Sequence, residues 1–160
     1  MKFSYDLVYD APPADVHAML ADPAFREKVC TSQHAVRHEV TITPGASGMV
    51  VVVDQTLPGR GIPSFAKKVI GDEIQIVQTE QWSGETGAGL DLGLPHKPAK
   101  VDGRIDLAET GSGTVETVSG EVKVSLPFIG GKLEKLIADM LGAAIRNEER
   151  VGRRWLAGER

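Results

Sequence analysis

A chain of 160 residues that is 41% hydrophobic and 25% charged falls in the ordinary globular range. Its length suits one domain, spanning 1–160, able to hide roughly 70% of the surface its unfolded form exposes without disulfides or a metal. A net charge of -4 with a pI near 5.6 argues against nucleic acid as a partner, because phosphate binding draws on clustered Lys and Arg. Cys30 is the single cysteine, so neither an internal disulfide nor a cysteine zinc site is expected. The alternating N-terminus lacks the apolar run of a signal peptide or membrane span, and a cytoplasmic location is expected.

Phe3, Tyr5, Leu7 and Tyr9 fall on one side of the first segment and Lys2, Ser4 and Asp6 on the other, the period of a strand. Asp10-Ala11-Pro12-Pro13 ends it, and Pro13 suits a first helical turn, where its missing N–H costs nothing. Val16, Met19 and Leu20 then recur at helical spacing. Asp22-Pro23 starts a second short helix with Asp22 as N-cap, Phe25 and Val29 on its apolar side, and an end near Cys30.

The middle of the chain reads as strands divided by turns. Val36, His38, Val40 and Ile42 share a register, Pro44 to Gly48 supplies a turn, and Met49 to Leu57 is a β-rich run. Pro58 to Pro63 interrupts it. Phe65, Ala66, Val69 and Ile70 have helical spacing, closed by Gly71, which predicts a short helical insert near 63–70. Strands resume over Glu73 to Trp82 and, after a glycine-rich turn at Gly84 to Gly89, through Leu90, Leu92 and Leu94. Val101, Ile105 and Leu107 make the next strand and Val118, Val122, Val124 and Leu126 the last. Neighbouring strands without long helices between them predict an antiparallel sheet. Leu133, Leu136, Ile137, Met140, Leu141, Ile145, Val151 and Trp155 then recur every three or four residues, about six turns of amphipathic helix whose stripe has only the sheet to cover it.

The order of one strand, two short helices, six more antiparallel strands and a long C-terminal helix resembles the START-like or SRPBCC superfamily, which includes birch pollen allergens, polyketide cyclases and lipid-transfer START domains. The resemblance covers essentially the whole chain. The opening Met1 to Ala18, the helix end at Val29-Cys30, the insert from Pro63 to Gly71 and Pro127-Phe128-Ile129-Gly130-Gly131 are similar to a bacterial branch known only as a domain of unknown function. The resemblance implies an α+β helix-grip fold, a curved seven-stranded antiparallel sheet wrapped around the C-terminal helix, with a pocket between the two for an apolar small molecule. It does not fix a reaction.

Within that frame the register of Val36, Val40 and Ile42 aims the His38 imidazole at the pocket if it faces inward, although a histidine among apolar neighbours is more often a hydrogen-bonded core residue. Gln55 shares a register with Val51, Val53 and Leu57, and Gln78, Glu80 and Trp82 share one with Ile74 and Ile76. Polar groups in an apolar wall need partners or water, and such groups could orient a ligand's polar end. Emergence of the strand end into solvent is the favoured account of Glu80. Ile137, Met140 and Leu141 are expected on the helix side of the pocket. The stripe breaks at Asn147 and Glu148, a polar pair that could face the pocket, although the favoured account puts Glu148 on a solvated face laced by i to i+4 pairs with Glu149, Arg150, Arg153 and Arg154. Phe128 and Ile129, flanked by Pro127 and Gly130, could gate the pocket mouth or touch a membrane transiently, and packing against the helix's first turn accounts for them equally well.

Catalytic signatures are weak. Gly84-Glu85-Thr86-Gly87-Ala88-Gly89 has the wrong spacing for a dinucleotide fingerprint, and His34 and His38, about 13 Å apart on a strand, do not suit one metal. No metal and no cofactor are expected. Three functions stay open. A noncatalytic carrier needs no special motif, since covering some 300 Å² of ligand would contribute roughly 7 kcal/mol before association entropy. A cyclase or dehydratase would use His38 as proton shuttle with Glu80 or Gln55 orienting the substrate. A protein-interaction module would use the outer face of the sheet. A monomer or weak homodimer is expected.

Overall fold

A computed structural model describes residues 1–160. The chain opens with strand β1 (Lys2–Tyr9), whose alternation puts Leu7 and Tyr9 inside and Asp6 and Val8 outside. Helix α1 (Pro13–Leu20) begins on a proline and buries Val16, Met19 and Leu20. Helix α2 (Pro23–Ser32) is capped by Asp22, whose Oδ1 accepts from the Ala24 N–H at 2.9 Å, so the DP pair acts as the expected start signal. The helix runs two residues past Cys30 and closes when the Gln33 N–H donates to the Val29 and Cys30 carbonyls.

Six strands follow: β2 (Arg37–Pro44), β3 (Met49–Pro58), β4 (Glu73–Ser83), β5 (Gly87–Gly93), β6 (Ala99–Thr110) and β7 (Gly113–Val124), with α3 (Ser64–Ile70) between β3 and β4. They form one antiparallel sheet in the order β1-β7-β6-β5-β4-β3-β2, so the first strand closes against the last and β1 and β2 are the edges. The glycine-rich turn is shorter than its composition suggests. Gly87 and Gly89 already pair with Asp106 and Arg104 of β6, which leaves Gly84 to Thr86 to make the turn.

Helix α4 (Gly130–Leu156) has 27 residues, about seven turns. It packs on β1 and β7 and meets α1 and α2. Two glycines permit the close approach to β1. A Cβ at position 152 would stand 2.8 Å from the Tyr9 ring, and one at 142 would stand 3.0 Å from the Tyr5 ring. Tyr5 also donates its hydroxyl to the Ala138 carbonyl at 2.8 Å. The free edge of β1 is occupied by charged side chains of the same helix: Val8 N–H donates to Glu149 at 2.7 Å, and Arg153 donates to the Val8 carbonyl at 3.0 Å. Backbone groups bonded in this way are withheld from pairing with another chain at that end of the strand.

Most buried apolar residues belong to one core, formed by the inner face of the sheet, α1, α2 and the α4 stripe. A smaller cluster of Ile62, Ala66, Ile70, Ile74, Leu94 and Leu133 lies under α3, which packs over the start of α4. No helix is long and apolar enough to cross a membrane.

Candidate functional site

The inner face of the sheet is not filled by α4. Between them lies a cavity of about 150 Å³, and 18 of the 25 residues that line it are hydrophobic. Leu90 and Leu92 of β5 and Val101 and Ile105 of β6 form one apolar wall, and Ala144 and Ile145 of α4 stand on the helix side. These positions alternate with exposed ones along each strand, as Asp91 between Leu90 and Leu92 shows, so a period-two pattern built the wall.

The polar part of the lining is concentrated around Arg26 of α2. Its guanidinium faces the Glu80 carboxylate in a two-pronged ion pair, NH1 to Oε2 and NH2 to Oε1, both at 2.8 Å, while Nε donates to the Leu20 carbonyl at 2.8 Å. Arg26 is 5% exposed and Glu80 0%. Trp82 Nε1 donates to Glu80 Oε1 at 2.9 Å, and Gln78 Nε2 donates to Oε2. Four donors on two oxygens fill the accepting capacity of a carboxylate. Burial by itself would lower the Arg26 pKa, but the Glu80 charge and hydrogen bonds outweigh it and hold the guanidinium above its ordinary value.

Two further carboxyls line the same cavity, Glu116 of β7 and Glu148 of α4. Burial pushes Glu116 well above the ordinary carboxylate range, the Glu148 and Glu80 charges add to the rise, and Arg26 opposes it. Burial raises Glu148 as well, against the pull of Arg26. The charges that bear on Glu116 come from three elements, Arg26 from α2, Glu80 from β4 and Glu148 from α4, and Glu116 in turn adds to the burial that raises the Tyr9 phenol of β1. Cys30, also in the lining, is pushed up to about 11 by burial, which keeps it a thiol at neutral pH.

A carboxyl raised by burial makes stability depend on pH with a definite sign. The folded state holds the Glu116 proton more tightly than the unfolded chain. Stability is therefore complete below the ordinary carboxylate range and falls as pH rises through the raised value. Glu116→Gln, a permanent mimic of the neutral acid, should lose less of its Tm than the wild type between pH 5 and pH 9. The expected gap at pH 9 is about 2–4 °C, which roughly 1 kcal/mol makes in a domain of this size. Parallel pH profiles in thermal unfolding would show that Glu116 is not held neutral.

Eight of the residues anticipated at the pocket line it. Val53, Gln55 and Ile76 come from the central strands, with Gln78 and Glu80 further along β4, and Ile137, Met140 and Leu141 come from α4. Glu80 is the opposite of a strand end emerging into solvent, because β3 and β5 pair on both sides of it, at Val51 and Leu90. Four others lie outside the lining. His38 pairs with Gln55 and so has the inward parity, but β2 is the edge strand, and its imidazole is exposed beyond the cavity. Val40 is half-buried against the core. Trp82 is buried behind the lining, where it bonds Glu80 and meets the His17 ring edge-on at 5.2 Å. Phe128 is wholly exposed with a φ of 67°, in the left-handed region, and Ile129 rather than Phe128 packs beside the smaller core.

Glu148 is not on a solvated face. The surface pairs of α4 run through its neighbour, Arg146 and Arg153 to Glu149, while Glu148 continues the stripe three residues after Ile145 and three before Val151. Arg26 and Glu116 were not anticipated, although both carry a periodic signal. Arg26 is three and four residues before Val29 and Cys30 on the apolar face of α2, and Glu116 shares parity with Val118 and Val122.

The fold and the chain both have relatives. An uncharacterized protein of Mycobacterium tuberculosis is 27% identical over 120 residues, covering 70% of this chain and 68% of that one. Among solved structures, the di-domain ARO/CYC protein BexL superposes with a TM-score of 0.70 at 14% identity, over 96% of this chain and 48% of that one. This chain thus spans about half of that two-domain protein. A START superfamily protein from Mycobacterium smegmatis superposes with a TM-score of 0.62 at 15% identity, over 94% and 96% of the two chains. These likenesses show the START-like helix-grip fold. The profile of a family described as protein of unknown function (DUF2505) matches residues 4–156, nearly the whole length, and the chain belongs to that family.

Proposed function

We propose that this protein binds a hydrophobic small molecule in the cavity between the sheet and α4, as a carrier. The observation that supports this reading most directly is the cavity itself, an apolar space of about 150 Å³ left open at the centre of an otherwise close-packed domain. Protein interiors rarely leave such voids, and an apolar void of this size takes up a body as large as benzene. The space as it stands suits a compact ring or short chain, and a longer lipid or polyketide requires α3 or α4 to move. The same fold in START and ARO/CYC proteins supports the reading. A cyclase built on His38 loses its proton shuttle, because that imidazole points into solvent outside the cavity.

Two measurements test the proposal. Native mass spectrometry of the protein purified from its own host is expected to show a bound small molecule. Calorimetric titration with naphthalene is expected to show binding that Ala144→Phe weakens at least tenfold, since a ring grown from the lining of α4 occupies the space. A free protein mass, together with equal naphthalene affinity in wild type and variant, would overturn it.

A further inference from the structure

The carboxyls around Arg26 divide into one that is closed and two that are open. Glu80 already receives four donors, and both terminal nitrogens of Arg26 are committed to it. Neither partner has much left to offer a guest. Glu116, only 2% exposed, lines the cavity with Oε2 unpartnered, and Gln55, 8% exposed, lines it with Oε1 unpartnered. Glu148 faces the same space from α4, and the hydrogen bonds of that helix turn pass it by, through Asn147, Glu149 and Arg150. Oxygen atoms without donors inside an apolar wall are costly unless something that enters the cavity bonds them.

What would satisfy them is set by charge as well as by hydrogen bonding. Three carboxyls surround a single guanidinium, and that guanidinium is used by one of them. A guest that brings its own N–H donors and a positive charge completes the site. One that brings a carboxylate adds a fourth acid to a buried place with no free cation. We propose that the cavity takes an apolar molecule bearing a protonated amine, its ammonium set between Glu116 and Glu148 and its hydrocarbon body against the leucine and valine wall of β5 and β6. This rests on the reading of the cavity as a ligand site and names the class of ligand. Burial holds both carboxyls toward their neutral forms, and an ammonium between them restores the charged ones. The acceptor of Gln55, on β3 with three strands between it and Glu116 on β7, is left for a second polar group on the guest.

The test uses three guests that differ only in their polar end: 2-phenylethylamine, 2-phenylethanol and 3-phenylpropanoate, each titrated calorimetrically at pH 7.5 into the full chain. The amine is expected to bind at least ~10-fold more tightly than the alcohol, with the carboxylate weakest. In Glu116→Gln/Glu148→Gln the ratio of amine to alcohol affinity should fall at least tenfold. If that double variant does not fold, Glu148→Gln alone, at a half-buried position, should lower the ratio at least threefold. Alcohol binding as tight as the amine, or a ratio unmoved by the variants, overturns the amine class while naphthalene binding leaves the cavity reading standing. Failure of naphthalene and all three guests to bind overturns both.

Discussion

Arg26→Met should destabilise the protein by about 3–5 kcal/mol, the cost of removing one partner from a buried ion pair. In a domain of this size that is a fall in Tm of roughly 6–20 °C. The loss comes less from the attraction forgone than from the group left behind. Glu80 is 0% exposed and would be left with only Trp82 and Gln78 donating to it. Glu80→Met strands the guanidinium instead and should cost a similar amount. The two changes together should be no more harmful than either alone, since an apolar pair of similar volume removes both charges from the interior. The Trp82 and Gln78 donors would still lose their acceptor, at about 1–3 kcal/mol for a buried group, so full recovery is not expected. Urea unfolding of the four proteins checks this, and additive losses in the double variant would show that the pair is not coupled.

The neighbouring residue supplies the second large effect. Phe25 is 0% exposed, and its ring meets Trp155 edge to face at 5.5 Å and 68°. Here the start of α2 is fastened to the last turn of α4. Phe25→Ala should cost about 3–5 kcal/mol through lost burial and the cavity left behind, and the aromatic pair itself should appear as a coupling of about 0.5–1.5 kcal/mol in a cycle with Trp155→Ala. Because Arg26 follows Phe25 on the same helix, a loosened α2 also loosens the ion pair. A loss below about 1 kcal/mol for Phe25→Ala would show that α2 is held to α4 by other contacts.

Sequence by itself determined the elements and the faces they turn inward. The alternation of β1, the Asp22 cap and the stripe of α4 are local properties, since the apolar positions recur with the backbone's own period and the element must hide them. Even the parity of His38 could be read, because it follows from Val40 and Ile42. What only the tertiary structure decided is how far along each element the enclosed region reaches. His38 has the correct face on a strand that forms an edge of the sheet, and it ends in solvent. Glu80, Glu116 and Glu148 have equally plain parity, yet a carboxyl read alone is assigned to water, because burying an unpaired charge costs too much. The partner that reverses this for Glu80 lies 54 residues away on α2. No window of sequence holds both members of such a pair, and only the folded chain brings Arg26 to the place where three acids meet.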